Sequence, residues 1–275
     1  MTLSIQQFQQ QARLYLTNED TALEIELMLC RVLAKERVFL RTWPQTLLTD
    51  AQLSQLNNYL KQRQQGVPLA YILGERAFWT LNLTVTPEVL IPRPDTECVV
   101  EKVLALGQAK QWRVADLGTG SGAIALSLAI EKPTWQLVAT DIHAPSLAVA
   151  QANACKHQIN NVEFALGSWF EPLTGLFDCI VSNPPYIVEN DPHLTQLTHE
   201  PLRALVAPQQ GLADLAYLVR LSSDFLKNQG WLVLEHGFDQ SQAVQALLMQ
   251  AGFCQVTTGQ DYGGNDRYTV GQKPC

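Results

Sequence analysis

The sequence has little that could hold a metal or a disulfide framework. Its six cysteines (Cys30, Cys98, Cys155, Cys179, Cys254 and Cys275) are far apart and form no C-x-x-C pair, and its five histidines are not clustered. Free cytosolic thiols are therefore expected, and no metal site is. Cys30, Cys98 and Cys179 lie in apolar runs and read as small core residues; none of the six reads as a nucleophile. No stretch of about 18 uncharged apolar residues occurs, so no membrane span is predicted. The start, MTLSIQQFQQQARLYL, is Gln-rich and lacks the basic-then-apolar layout of a secretion signal. A cytoplasmic location follows as the expectation. Basic residues are also in short supply: 19 Lys plus Arg face 26 Asp plus Glu, for a net charge of -7. That argues against an affinity built on blanketing a nucleic-acid backbone. Internal repeats and low-complexity tracts are missing too. What is present, 275 residues of which 47% are hydrophobic, suffices for one large or two modest folded domains.

The charge divides unevenly along the chain. Up to residue 86 there are about 8 basic and 7 acidic side chains, leaving about 11 and 19 for the remainder. The first segment reads as a helical bundle. Ser4 can cap a helix bearing Ile5, Phe8, Ala12 and Leu16, and Asp20 a second bearing Leu23, Ile25, Leu27, Leu29, Val32 and Leu33. Asp50 can cap a third with Leu53, Leu56 and Leu60, stopped by Gly66 and Pro68. FWTLNLTV and VLIP around Thr86-Pro87 suggest a short β-hairpin between two domains. Pro94, Asp95, Thr96 and Glu97 then signal a helix start. The expected division is a helical domain over residues 1–73, a hairpin linker over 74–92 and an α/β domain over 93–275.

Strand-like runs at Trp112–Leu117, Leu137–Thr140, Val162–Ala165, Cys179–Ser182 and Trp231–Leu234 alternate with helical patterns. The helical patterns cover Ala123–Ile130, Ala144–Ala154, Leu212–Leu226 and Ser241–Gln250. That rhythm predicts an α/β fold with a doubly wound parallel sheet; FCQVTTG and RYTVGQ would add a closing hairpin, for seven strands in all.

The strand WRVADL runs directly into Gly118-Thr119-Gly120-Ser121-Gly122 and then into a helix. Such a loop lets the backbone approach a ligand closely, and a helix start offers N–H groups to an anion. The spacing is G-x-G-x-G rather than the dinucleotide G-x-G-x-x-G. Nineteen residues past the last glycine, the strand QLVAT ends at Asp141, suited to ribose hydroxyls. Together these point to a nucleoside cofactor. The alternative is a tight strand–helix turn with Asp141 capping the next helix.

The strand FDCIVS ends in Asn183-Pro184-Pro185-Tyr186. Ligands of open α/β sheets bind beyond the carboxyl ends of the strands, so this tetrad should face the glycine loop. The prolines have no N–H, and Pro185 holds Pro184 extended, leaving the Pro184 carbonyl as an acceptor. Asn183 adds a second acceptor and Tyr186 an aromatic plate. Two acceptors and a flat face suit a planar –NH2 group on an sp2 carbon.

G-x-G-x-G, the strand-end acid and N-P-P-Y together resemble S-adenosylmethionine-dependent amino-methyltransferases of the class I, Rossmann-like kind. PLAYILG, VLIPRPDTE, DLGTGSGAIALSLA, SNPPYI, HEPLRAL, LEHGFDQ and DYGGNDR, in that order, are similar to the release-factor glutamine methyltransferase family (HemK/PrmC), from about residue 63 to the end. PRPDTE favours the release-factor enzymes over the related ribosomal-protein glutamine methyltransferases. The sequence VAPQQG after EPLRAL departs from the family pattern, which leads one to expect a glycine pair there.

The resemblance implies a protein glutamine-N5 methyltransferase using S-adenosyl-L-methionine, with S-adenosyl-L-homocysteine as product. Gly118, Thr119, Gly120, Ser121 and Gly122 would hold the methionine part of the cofactor, Asp141 its ribose and Trp169 its adenine, with Asn183 also beside the cofactor. Asn183 and Pro184 would be catalytic, and Asn183, Pro184, Pro185 and Tyr186 would bind the substrate amide. The implied substrate is the glutamine of the Gly-Gly-Gln motif in bacterial class 1 peptide-chain release factors, with no stable nucleic-acid partner and no membrane. Glu235-His236 and the turn from Asp261 to Arg267 read as structural, and Arg93, Asp95 and Glu97 fit a helix-start salt-bridge cluster and a substrate contact equally well. Competing readings are a nucleic-acid adenine amino-methyltransferase acting on a flipped base, a ribosomal-protein glutamine methyltransferase, and a non-catalytic binding module that kept the fold.

Overall fold

The computed structural model describes residues 3–16, 20–107 and 111–275. Two compact units succeed one another along the chain, Met1–Glu75 and Arg76–Cys275.

The first unit is helical: α1 (Ile5–Ala12), α2 (Thr21–Leu33), α3 (Arg37–Thr42), α4 (Asp50–Gln64) and α5 (Leu69–Leu73). Ser4 caps α1 through a capping box. Gln7 N–H donates to Ser4 Oγ at 3.3 Å and Ser4 N–H donates to Gln7 Oε1 at 2.9 Å, which satisfies donors the helix cannot. Helix α4 uses the same device one residue earlier than the sequence pattern suggests. Thr49 is its cap, paired with Gln52, and Asp50 is the first helical residue. Asp20 stands at the N-cap of α2 but makes no capping bond. The short helices α3 and α5 are additional to the three read from the sequence; one to two turns are too brief for a clear apolar period. Ile5, Phe8, Ile25, Met28, Leu29, Leu40, Leu48 and Leu56 form the core. Within it Glu24 is buried and receives Arg63 Nε and Nη2 at 2.9 and 3.0 Å, tying α2 to α4.

Strands β1 (Glu75–Phe78) and β2 (Leu81–Thr84) pair as a two-stranded ribbon. The reversal lies at Trp79-Thr80, with Trp79 at φ 54°, and not at Thr86-Pro87. Residues 85–93 form no strand. Pro87 and Pro92 supply no N–H for a ladder, so Val89 and Ile91 are buried from an irregular segment.

The α/β unit continues with α6 (Glu97–Leu106), β3 (Arg113–Leu117), α7 (Ala123–Glu131), β4 (Gln136–Asp141), α8 (Ala144–Lys156), β5 (Val162–Leu166) and β6 (Phe177–Ser182). It closes with α9 (Ala213–Phe225), β7 (Leu226–Glu235), α10 (Ser241–Gln250), β8 (Cys254–Gln260) and β9 (Asp266–Gln272). The seven-stranded sheet has the order β5-β4-β3-β6-β7-β9-β8, parallel except for β9, which is antiparallel to both of its neighbours. Alternate strand residues serve opposite cores. Val114, Cys179 and Val181 face a cluster with α6 and α7, and Ala115, Leu117 and Ile180 face one with α9 and α10. Burial on both faces is why these strands read as continuous apolar runs. Chain order reverses at β3, which has β4 on one side and β6 on the other. That switch point sets the loops after β3 and β6 side by side.

Candidate active site

A cavity of about 270 Å³ opens at this switch point. Gly118, Thr119, Gly120, Ser121, Asp141, Trp169, Asn183 and Pro185 line it, so most of the sequence-predicted residues come together in one place. Gly122, Pro184 and Tyr186 do not line it. Gly122 serves packing: at φ +85°, a Cβ there would lie 2.8 Å from Leu126 Cδ1 and 3.3 Å from Ala150 Cβ.

The glycine loop uses most of its own donors internally. Gly118 and Thr119 N–H both reach the Thr140 carbonyl at 2.9 Å, and Gly122 N–H reaches the Thr119 carbonyl at 2.9 Å. Gly120 N–H donates to Asp141 Oδ2 at 3.0 Å. Ser121 alone keeps an unpartnered loop N–H among the described residues, fewer than a helix start suggests. At Gly120, φ is +56° and a Cβ would meet nothing within 4 Å, so the backbone there borders open space. Asn153, fully buried on α8, braces the loop from behind. It donates to the Ser121 carbonyl at 2.9 Å and exchanges two bonds with Thr84 of β2, at 2.7 and 3.0 Å.

Asp141 combines both readings of its position. Oδ2 takes Gly120 N–H and Oδ1 takes His143 N–H at 2.8 Å, at the start of α8. Each oxygen keeps acceptor capacity toward the cavity. Trp169 sits at φ 48°, a strained backbone for a bulky residue and a frequent mark of functional sites. Its carbonyl accepts from Thr140 Oγ1 at 3.1 Å, and a Cβ on Gly118 would come 3.2 Å from its ring.

Sequence reasoning missed Asp116. It lies two residues before the loop, lines the cavity and is 1% exposed. Oδ2 accepts from Thr119 Oγ1 at 2.7 Å and Ala125 N–H at 3.1 Å, whereas Oδ1 has no partner among the described residues. Burial raises its pKa to about 6, against the pull of those two donors. An acid at a strand end beside a glycine loop was the available signal.

At the other wall, Asn183 Nδ2 donates to Thr96 Oγ1 at 3.2 Å, which leaves Oδ1 without a donor among the described residues. The Pro184 carbonyl likewise has none. Tyr186 packs into the core beside α9 and places its hydroxyl 3.4 Å from Glu235 Oε1. The loop at VAPQQG takes a left-handed path at three successive residues: Gln209, Gln210 and Gly211 have φ of 54°, 58° and 78°. Gly211 must be glycine, since a Cβ would lie 2.0 Å from the Tyr186 carbonyl oxygen. Two ion pairs hold the segment carrying HEPLRAL at the cavity: Glu200, which is buried, with Arg93, and Arg203 with Glu88 at 3.5 Å. No group of three or more metal-ligating side chains occurs among the described residues, nor does a helix long and apolar enough to cross a membrane.

Comparison with known proteins gives the family. Residues 7–74 match the PrmC N-terminal domain and residues 96–208 the Methyltransferase small domain. A release factor glutamine methyltransferase of Aliivibrio fischeri is 45% identical, covering 99% of this chain and 98% of its own. One of Escherichia coli is 44% identical, covering 93% of each. This chain belongs to the release factor glutamine methyltransferase family. Solved structures agree in fold: a methyltransferase from Pyrococcus furiosus has a TM-score of 0.57 at 18% identity, covering 78% of this chain and 100% of its own. A Thermus thermophilus 16S rRNA N2 G1207 methyltransferase has a TM-score of 0.53 at 18% identity, covering 72% and 49%. The methyl donor of the family is S-adenosyl-L-methionine. The residues present fit it. Asp116 Oδ1, an orphaned buried carboxylate oxygen on the cavity wall, suits a ligand with an ammonium group, and the open face at Gly120 leaves room for a close approach.

Proposed function

We propose that this chain methylates the side-chain amide nitrogen (N5) of the glutamine in the Gly-Gly-Gln motif of bacterial class 1 peptide-chain release factors. The observation that carries this reading is Asn183: its NH2 is engaged by Thr96, so its free Oδ1 is an acceptor at the cavity, suited to an amide N–H. The end-to-end similarity to proteins named release factor glutamine methyltransferase supports the substrate. A net charge of -7 favours a protein over a nucleic acid, and a release-factor substrate makes the cytoplasm the expected compartment.

S-adenosyl-L-methionine, when bound, supplies an electrophilic methyl group on a positively charged sulfur. Gly118, Thr119, Gly120 and Ser121 would border its methionine part, with Asp116 accepting from the ammonium, Asp141 from the ribose and Trp169 flanking the adenine. Gly122 would act through helix packing. The target amide nitrogen is a poor nucleophile because its lone pair is delocalised into the carbonyl. Asn183 Oδ1 and the Pro184 carbonyl would accept its two N–H bonds, fixing its direction and favouring the positive charge that develops on nitrogen. Pro185 would bound the amide plane, and Tyr186, packed into the core, would hold the turn that carries Asn183 and Pro184. No side-chain base is required, since the methylated nitrogen is acidic enough to lose its proton to water.

The test offers labelled donor to purified release factor, ribosomal proteins and DNA, and maps the label by mass spectrometry. Label on the Gly-Gly-Gln glutamine is expected. Label confined to DNA or to a ribosomal protein would overturn the reading.

A further inference from the structure

Several stretches that the sequence marks out and the proposed mechanism does not use meet around Asn183, with Thr96 itself on the cavity wall. From PRPDTE comes Thr96, 4% exposed, whose Oγ1 accepts from Asn183 Nδ2. From LEHGFDQ comes Glu235, 1% exposed at the end of β7, whose carboxylate the Thr96 hydroxyl draws down. Glu235 Oε1 also faces Tyr186 Oη at 3.4 Å, and Oε2 has no partner among the described residues. From DYGGNDR comes Arg267, the cation facing this group. Asp261 receives Arg267 Nε and Nη2 at 3.0 Å each, and is itself fixed by Gly263 and Asn265 N–H at 2.9 and 3.0 Å.

The order of donors along this chain matters. An amide oxygen and an amide NH2 have nearly the same shape, so packing alone cannot choose which end of Asn183 faces the cavity. A threonine hydroxyl carries one proton. An ionised carboxylate only accepts, so a Thr96 hydroxyl turned to Glu235 gives its one proton there and can only accept from Asn183. Asn183 then turns its NH2 inward and its Oδ1 outward. We propose that Glu235 is a positioning residue for methyl transfer, acting through Thr96 to hold the Asn183 amide with Oδ1 towards the substrate. The inference rests on the reading above, in which Oδ1 accepts a substrate N–H.

A pH dependence follows. Burial pushes Glu235 up to about 7; Thr96, Arg267 and Tyr186 draw it down, and Asp95 raises it. Cys98 faces the same carboxylate. Once protonated, Glu235 can donate to Thr96, which frees the Thr96 proton for Asn183 Oδ1. The amide can then reverse and present NH2 to the substrate NH2, donor against donor.

The test measures kcat of methyl transfer to release factor at saturating donor from pH 5.5 to 9, with donor affinity measured separately. Thr96→Val is expected to lower kcat about tenfold or more with donor affinity within about threefold of wild type, and Thr96→Ser to restore it. Wild-type kcat should fall as pH drops through about 7, and Glu235→Gln should lack that limb. Unchanged kcat in Thr96→Val, or an intact acid limb in Glu235→Gln, would overturn the proposal. The pH comparison decides it if Thr96→Val does not fold. Asn183→Ala run alongside separates the two layers. If it is inactive while Thr96→Val is normal, only the relay falls; if it is active, the amide-acceptor reading falls as well.

Discussion

Asp116 offers a test in which stability and binding move in opposite directions. Its carboxyl is raised to about 6 by burial, with one oxygen unpartnered. An unfolded aspartate titrates near 4, so at pH 7 the ionised group disfavours the folded chain by about 3 kcal/mol. Asp116→Asn keeps the shape, and its carbonyl can still accept from Thr119 Oγ1 and Ala125 N–H. Without donor, the variant should melt about 5–10 °C higher at pH 7 to 8. The sign follows from the raised folded pKa. Stability from protonation is fully present below about 4 and is lost as pH rises through 6, so the two melting curves should converge on acidification. Binding goes the other way. Losing a charge-assisted bond to an ammonium costs about 1.5–3 kcal/mol, or roughly 10–150-fold in donor affinity. Wild-type affinity should also weaken below pH 6 while that of the variant does not. Differential scanning fluorimetry and titration calorimetry across pH 4 to 8 measure both effects. A variant less stable than wild type at pH 7, or one binding donor equally well, would refute the reasoning.

Asn153→Leu leaves the Thr84 N–H and the Thr84 and Ser121 carbonyls unpaired in the interior, at about 1–3 kcal/mol each, so calorimetry should show a loss of about 3 kcal/mol or more. Gly118→Ala places a methyl 3.2 Å from the Trp169 ring at φ +73°, and equilibrium dialysis should show donor affinity down by about tenfold.

The parallel sheet was legible because its strands are buried on both faces and read as apolar runs bounded by turns. The two site loops were legible because their residue types are rare at strand ends: glycines on one, an asparagine followed by two prolines on the other. Less legible were features set by partners distant in the chain. The hairpin turn at Trp79-Thr80 depends on a tryptophan at positive φ, which propensity disfavours. Thr96 and Glu235 look like a helix start and a strand end, and only the fold brings them together around Asn183. The same holds for Glu200, an ordinary loop acid until the fold buries it against Arg93. At 209–211 two glutamines and a glycine take positive φ in succession, a path that residue type alone did not announce.

The central claim, that the Asn183 side chain accepts from the target amide, is tested most directly by Asn183→Ala in a single-turnover assay with labelled S-adenosyl-L-methionine and purified release factor. The account expects methyl transfer to fall about 10²-fold or more while donor affinity stays within about threefold. Transfer at the wild-type rate would contradict it.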